Sequence, residues 1–427
     1  MRKAKLFTSI FVMALALAFA GCKHSITEPE PQPNVNSTYT VTIASEITHG
    51  TVSADKMTAQ KDDTVTLTVA ANTIYELDTI SVKDTDNNEI ATTIVNAGTT
   101  YTFVMPESNV TVSATFVQDV LAMVDVARNT VTITGKINTD NYEGVFANGR
   151  NVTLSPYKMC KYEVTQGVYA QYMEGESING KALASNPSYC KETGTYPLVS
   201  GDTQNLRPVE GVTWYDAVYF CNVLTEKTLG ADKKVYTITN PSVDSNGQIT
   251  SATVTMDMTK TGYRLPTEAE WEFAARGGDT TAADWNYTFS GHDKASGSSF
   301  SDVINSGMDS VGWYWYNTKN GTTGNETPSE GAQGYGTHEV GKKSPNRLGI
   351  YDMSGNVWEW CWDWYSNSAV ETGNVTDPVG ASSGSYRVIR GGSCGSDAFC
   401  CSVANYTYFS PGSRYIEVGF RVVRNAN

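Results

Sequence analysis

Hydrophobic and polar residues alternate one by one in several stretches between residues 39 and 118. The run TVTLTV, which begins at Thr64, alternates valine and leucine with threonine, and NVTVSATF, which begins at Asn109, does the same. A period of two is typical of β-strands with one buried face. Turn residues such as Asp62 separate the runs. The pattern predicts a small all-β sandwich module over residues 39–118.

In the remaining segment, residues 121–427, apolar residues rarely recur at helical spacing. Where they do, they follow one of two N-cap signals. Aspartate or glutamate stands three residues after a threonine in Thr213-x-x-Asp216 and Thr267-x-x-Glu270, the spacing of a capping box. Four apolar residues fall on one face of the first helix: Trp214, Val218, Cys221 and Leu224. Gly277-Gly278 ends the second helix. Because the other residues fit loops and short strands, we expect the α+β class.

The chain opens with the basic segment MRKAK, followed by an almost entirely apolar run over residues 6–20. This run is short for a membrane span and is typical of a secretory signal. Its end, FAGC, resembles a lipoprotein signal, which implies a signal peptide over 1–21 and a lipidated Cys22. The Pro-rich residues 22–38 are predicted to form a tether. We expect an exported lipoprotein anchored in the outer membrane or at the cell surface; an ordinary signal peptide is the alternative.

Composition narrows the choice of partners. A formal net charge of −14 over 427 residues argues against nucleic acid, because a phosphate backbone requires a basic surface. Four scattered histidines disfavour a Ser-His-Asp triad or a multi-histidine metal site. Of eight cysteines the anchor uses one, and the pairing of the others stays open. No second apolar run is long enough for a membrane span, so membrane contact is expected only through the lipid.

Both folded segments resemble known families. The module resembles the bacterial immunoglobulin-like repeat through HGTV at 49–52 and YTFVMP at 101–106, which implies a stalk or spacer. Residues 121–427 resemble the formylglycine-generating enzyme (sulfatase-modifying factor) family. The motifs, in the family's order, are KYEVTQ at 161–166, VTWYDA at 212–217, RLPTEAEWE at 264–272, GIYDMSGNVWEW at 349–360, RGGS at 390–393 and GFR at 419–421. This resemblance implies the variant C-type-lectin fold.

The motif residues also have structural interpretations. We expect four tryptophans to lie in the core: Trp214, Trp271, Trp358 and Trp360. Arg264 and the acidic residues of 268–272 are expected to form internal ion pairs.

The resemblance bears on copper chemistry. The family's oxidases use O2 and a copper ion held by two cysteines, and soft thiolates suit Cu(I). Those two positions are occupied here by Ser396 and Cys401. Cys394 and Cys400 lie nearby but out of register. We therefore expect no copper and no formylglycine synthesis, with an oxidase or related oxygen-using enzyme of the same family as the alternative.

The resemblance also implies a structural Ca²⁺ in the GNVWEW loop. Its ligands would be the side chains of Asp352 and Glu359 and the carbonyl oxygens of Gly355 and Val357. Hard oxygen ligands of this kind suit Ca²⁺. In the alternative interpretation, Asp352 and Glu359 only accept hydrogen bonds from local backbone N–H groups.

Residues 394–418 mix aromatic and small polar residues without helical or strand periodicity. The mixture resembles the variable C-terminal region of diversity-generating-retroelement target proteins, and tyrosine, serine and asparagine are typical of adaptable binding surfaces. It implies contacts with an unknown protein or glycan at the cell surface through Ser396, Asp397, Phe399, Tyr406, Tyr408, Phe409, Tyr415 and Ile416. The last five are expected to be mostly exposed and to share one face, whereas Trp358, Trp360 and Phe420 hold the scaffold. Alternatively, this is an ordinary family C-terminus with its aromatic residues packed inside.

Overall fold

The computed structural model describes residues 37–135, 144–192, 196, 198, 201–299, 304–318, 336–367 and 372–426. The predicted signal peptide, the lipidation site at Cys22 and nearly all of the tether lie outside these residues. Within the described part of the chain, no helix is both long and apolar enough to cross a membrane.

The N-terminal module is a two-sheet β-sandwich. Its strands are β1 (Thr38–Ile43), β2 (Gly50–Ala54), β3 (Thr58–Gln60), β4 (Thr64–Ala71), β5 (Tyr75–Asp84), β6 (Glu89–Ile90), β7 (Thr92–Asn96), β8 (Thr100–Val104) and β9 (Val110–Gln118). The sheets have the orders β3-β1-β9-β5-β6 and β2-β4-β8-β7, and β1 pairs with β9 in parallel. Val65, Leu67 and Val69 are buried, while Thr64 and Thr68 are exposed. The alternation therefore predicted the buried face correctly.

The second domain consists of small sheets around long loops. Its strands are β10 (Met123–Ala127), β11 (Val131–Thr134), β12 (Arg150–Leu154), β13 (Tyr157–Cys160), β14 (Ser177–Ile178), β15 (Lys181–Ala182), β16 (Tyr236–Val243), β17 (Ile249–Met256), β18 (Trp358–Trp364), β19 (Gly373–Thr376), β20 (Arg387–Arg390), β21 (Tyr406–Phe409), β22 (Val418–Gly419) and β23 (Val423–Asn425). The larger sheets have the orders β10-β13-β23, β11-β12-β19 and β21-β20-β18-β22. Because β13 pairs with both β10 and β23, the first and last strands of the domain lie in one sheet.

The α-helices of the described residues are α1 (Gln166–Met173), α2 (Trp214–Thr228), α3 (Glu268–Ala275) and α4 (Ser306–Val311). Short 3-10 turns occupy Gln204–Leu206, Ala231–Lys233, Ala283–Asn286 and Ala398–Cys401. Both predicted capping boxes form at the start of α2 and α3, with Thr213 and Thr267 as the N-caps. Gly277 follows α3 with φ of 80°, a left-handed conformation that favours glycine at a helix end.

The core confirms the structural interpretation of the tryptophans. Trp214, Trp271 and Trp360 are fully buried and Trp358 is 8% exposed. The predicted ion pairs are also internal: Arg264 binds Glu270 at 2.6 Å, and the Glu272 carboxylate contacts Arg276 and Arg390. Removing one partner of such a buried ion pair lowers the free energy of unfolding by about 3–5 kcal/mol, because the other charge remains buried alone.

The module contacts the second domain through the turn between β4 and β5. The backbone N–H of Ile74 donates to the hydroxyl of Tyr162 at 3.0 Å. Ile74 has φ of 66°, which is unusual for a β-branched residue, and its side chain packs against the core of the second domain.

Candidate binding surface

The two positions that carry copper ligands in the family differ in chemistry here. The Ser396 hydroxyl lies 2.9 Å from the Ser393 hydroxyl, which donates to Glu417 at 2.7 Å. Cys401 is fully buried in an apolar cluster, and burial raises the pKa of its thiol well above the ordinary value. Because only one of the two positions carries a thiol, this pair does not fit a copper site held by two cysteines.

The out-of-register cysteines differ in burial: Cys394 is buried and Cys400 is partly exposed. Burial raises the pKa of Cys400 to about 11 and that of Cys394 well above its ordinary value. Among the described residues, no cluster of three or more histidine, cysteine or acidic side chains could hold a metal ion.

Two of the predicted calcium ligands, Glu359 and Asp352, have different surroundings. The Glu359 carboxylate accepts from the Arg421 guanidinium at 2.7 Å and from the Trp271 indole N–H at 2.8 Å, so its charge is already neutralised. Asp352 accepts from the Gly341 N–H at 2.7 Å through one oxygen, and its other oxygen is buried without a hydrogen-bond partner. A calcium ion held as predicted would have to displace Arg421.

The neighbouring turn is held by another carboxylate. Gly355 has φ of 92°, and the N–H of Val357 donates to Glu163 at 3.2 Å. Because Arg421 already occupies the Glu359 carboxylate, the geometry does not fit Glu359 as a calcium ligand. The calcium site stays a prediction.

Strand β21 divides the predicted aromatic surface into two. Tyr406 and Tyr408 are 40% and 37% exposed on one face, whereas Thr407 and Phe409 point to the other face and are half-buried. Successive side chains of a strand point to opposite faces, so these aromatic residues cannot form a single patch. The expectation of mostly accessible side chains is confirmed, but the expectation of one shared face is wrong.

The first group, called here the tyrosine cluster, comprises Tyr365, Tyr386, Tyr406 and Tyr408. The Tyr408 ring stacks on Tyr365 with ring centroids 3.7 Å apart and lies 5.1 Å from Tyr386. Tyr386 is 45% exposed. Tyr365 and Tyr386 precede the C-terminal region, and sequence reasoning missed them because neither belongs to a periodic pattern.

The second group, called here the Tyr415 patch, comprises Tyr189, Phe409, Arg414 and Tyr415. Phe409 and Tyr415 stack with centroids 4.0 Å apart, and the Arg414 guanidinium lies 5.8 Å from the Tyr189 ring centroid. The N–H of Gly211 donates to the Tyr415 carbonyl at 3.0 Å and fixes this loop. Tyr189, which sequence reasoning also missed, is 42% exposed.

The remaining predicted contact residues lie in the two loops that flank β21. Ser396, Asp397 and Phe399 are half-buried. Ile416 packs against Cys190 and Tyr196, beside Trp315. The backbone N–H of Trp315 donates to the Ser396 carbonyl at 3.0 Å, which joins the segment at 313–318 to the loop before β21.

Comparison with known proteins places this arrangement in a family. The model for the sulfatase-modifying factor enzyme 1-like domain matches residues 110–426. The chain belongs to this family. Residues 39–120 match the divergent InlB B-repeat domain, in agreement with the all-β module.

The family includes relatives with different names. The chain is 35% identical to "Chaperone protein LppX" of Paenibacillus barcinonensis over 282 residues, which are 65% of this chain and 82% of the relative. It is 35% identical over 168 residues to a formylglycine-generating enzyme of Thermomonospora curvata, covering 38% of this chain and 48% of that enzyme. Thus the second alignment spans about half of the enzyme.

A solved structure supports the predicted fold. The structure of "Treponema denticola variable protein 1" is 30% identical to this chain, with a TM-score of 0.51, and the match covers 71% of this chain and 94% of the other. The family's variant C-type-lectin fold, preceded by an all-β module, is thereby confirmed.

Proposed function

We propose that this chain is an exported lipoprotein that binds a protein or glycan through the exposed aromatic residues of its C-terminal region, without making formylglycine. The main observation in support is that β21 exposes Tyr406 and Tyr408 to solvent, while other residues of the sheet form the core. A packed core does not tolerate arbitrary changes of volume, so a surface that varies must lie outside it. An exposed aromatic group on a folded domain usually marks a binding site.

Two further features support a binding role. The C-terminal residues occupy a scaffold that resembles a variable protein over most of its length. Glu417 accepts a hydrogen bond from Ser393, next to the position where the family's first copper cysteine would stand. This hydrogen bond gives Glu417 a structural role, as expected of a residue that stays constant within a variable region. The name of LppX adds a polypeptide as one ligand class to test.

Binding is tested with the mature chain on protein and glycan arrays. Two double variants separate the groups: Tyr406→Ser with Tyr408→Ser for the tyrosine cluster, and Phe409→Ser with Tyr415→Ser for the Tyr415 patch. We expect at least one double variant to lose the ligands of the wild type while keeping its circular dichroism spectrum. Folded variants that both bind as the wild type does would refute the proposed surface.

The competing function is formylglycine synthesis, favoured by the retained Cys401 and by the identity to the Thermomonospora enzyme. The Cu(I)-loaded chain is incubated with a sulfatase-type cysteine peptide, with a formylglycine-generating enzyme as the positive control. We expect no aldehyde product from this chain. Turnover that is lost on Cys401→Ala would establish the oxidase and would point to Cys394 or Cys400 as the second thiol.

A further inference from the structure

The Tyr415 patch is organised around a glycine that sequence reasoning did not single out. Gly211 has φ of 71°, a left-handed conformation that favours glycine, and a Cβ at this position would lie 3.0 Å from the Tyr189 ring. Its N–H donates to the Tyr415 carbonyl at 3.0 Å, and its carbonyl accepts from the Gln248 side chain at 2.6 Å. Gly211 therefore joins both tyrosines to Gln248.

The loop that carries Tyr189 is held by a buried carboxylate. Glu210 is fully buried, and its carboxylate accepts the N–H groups of Tyr189 at 3.0 Å and of Cys190 at 2.8 Å. This acid is used by backbone donors beneath the patch. The Tyr189 ring is thus held in place from the protein side, while its outer face stays accessible.

Arg414 lies in this patch with a neutral partner. Its guanidinium donates to the amide oxygen of Gln248, a residue that is 1% exposed. The Gln248 amide nitrogen donates to the Gly211 carbonyl, so the amide oxygen is the atom that faces Arg414. An amide oxygen carries no formal charge. The hydrogen bond therefore orients the guanidinium without neutralising it.

The acidic side chains near Gln248 are used by the backbone. Asp244 closes its own turn by accepting the N–H of Asn246 at 2.8 Å, and Asp216 belongs to the capping box of α2. Burial acts to raise the pKa of Asp244, the N–H groups of the turn outweigh burial, and the charge of Arg414 contributes less than they do. The positive charge of Arg414 is therefore open to a ligand.

We propose that the Tyr415 patch binds a protein, and that Arg414 pairs there with one carboxylate, from an aspartate or glutamate side chain exposed on the partner. The inference rests on the proposed function and assigns a ligand class to one of its two surfaces. A guanidinium matches a carboxylate through two parallel N–H···O bonds. Tyrosine and arginine are also enriched among the residues that dominate protein–protein binding energy.

The charge of the whole chain favours a single carboxylate over a polyanion. With a formal net charge of −14, the chain repels a highly acidic polymer, such as a uronic or sulfated glycan. A single carboxylate on a protein surface of mixed charge adds little to that repulsion. The stacked rings of Phe409 and Tyr415 provide an apolar surround, in which a charged hydrogen bond is stronger than in water.

The carboxylate contact is tested with the mature chain on an array of peptides, each printed in two forms. One form carries aspartate or glutamate, and the matched form carries asparagine or glutamine instead. We expect the wild type to bind the acidic form of its peptides about tenfold or more tightly, because the amide form loses a hydrogen bond between charged groups. A wild type that binds both forms alike, or that binds no peptide, would overturn the proposed contact.

Three variants assign the preference to Arg414. Arg414→Gln removes the cation, and Gln248→Glu keeps it but places a carboxylate against it, so both should bind the two forms alike. Arg128→Gln removes a charge whose side chain is 82% exposed elsewhere, and it should keep the preference of the wild type. Circular dichroism checks that each variant is folded. Because Gln248 is buried, Arg414→Gln decides the result if Gln248→Glu does not fold. A preference that survives in Arg414→Gln would rule out the role of Arg414.

A glycan array separates the failure of this contact from the failure of the proposed function. If Phe409→Ser with Tyr415→Ser abolishes binding and Arg414→Gln does not, the Tyr415 patch is a binding surface and the carboxylate contact is wrong. Binding that depends on Arg414 but is confined to carboxylated glycans would overturn the protein partner.

Discussion

Tyr408→Ser distinguishes a display surface from an ordinary packed C-terminus. Tyr408 is 37% exposed, and its ring contacts are Tyr365 at 3.7 Å and Tyr386 at 5.1 Å. Each aromatic pair contributes about 0.5–1.5 kcal/mol, so losing two pairs should lower the free energy of unfolding by about 1–3 kcal/mol. The expected loss of stability is therefore small but measurable, because the stacked rings of the tyrosine cluster stabilise the folded state.

A matched variant in the core shows how much stability is lost when a buried aromatic residue is removed. Trp360 is fully buried, and its indole N–H donates to the Val212 carbonyl at 3.2 Å. Trp360→Ala should cost at least about 3–5 kcal/mol, since a large cavity forms in a packed interior. At about 2 °C per kcal/mol for a domain of this size, we expect Tyr408→Ser to lower the melting temperature by about 2–6 °C and Trp360→Ala to lower it further.

Scanning calorimetry of the mature chain measures both shifts, and Tyr408→Phe serves as the control because it keeps the ring. Tyr408→Phe is expected to melt close to the wild type. If Tyr408→Ser lowered the melting temperature as much as Trp360→Ala, the ring would be part of the core. The interpretation as an ordinary family C-terminus would then replace the display surface.

Three further predictions concern the anchor and two buried carboxyl groups. Metabolic labelling with a fatty acid should mark the wild type and not Cys22→Ser; label that persists in the variant would contradict lipidation at that residue. Glu359→Gln should destabilise the domain by about 3–5 kcal/mol with or without calcium, because it leaves Arg421 buried without its partner. A chelator that lowers the melting temperature of the wild type but not of Glu359→Gln would instead establish Glu359 as a calcium ligand. Burial and the nearby Glu268 raise the pKa of Asp363 to about 8, so the folded state binds a proton that the unfolded state releases at lower pH. Stability should thus fall as the pH rises from about 4 to about 8, by up to about 1.4 kcal/mol per pH unit. Asp363→Asn should remove this slope in urea unfolding at several pH values, and a difference from the wild type that is independent of pH would show that Asp363 does not titrate in this range.

The sequence by itself predicted the features that depend on neighbouring residues. Alternation identified the buried face of β4, and threonine-to-acid spacing located the starts of α2 and α3. The order of the family motifs indicated the fold and the tryptophans of the core. These features are local because a strand or a helix repeats one environment at a fixed spacing.

Tertiary structure decided which distant residues meet. The tyrosine cluster joins Tyr408 to Tyr365, which directly follows β18, and to Tyr386, which directly precedes β20. The Glu359 carboxylate contacts Arg421, 62 residues away, and the His338 ring contacts Asp202, 136 residues away. Such contacts depend on how irregular loops pack, and a loop carries no repeating pattern that records its partners. One signal was present nevertheless: the alternation in YTYF at 406–409 places Tyr408 and Phe409 on opposite faces once these residues form a strand. The sequence holds that alternation, but only the pairing of β21 with β20 makes the segment a strand and so divides the surface in two.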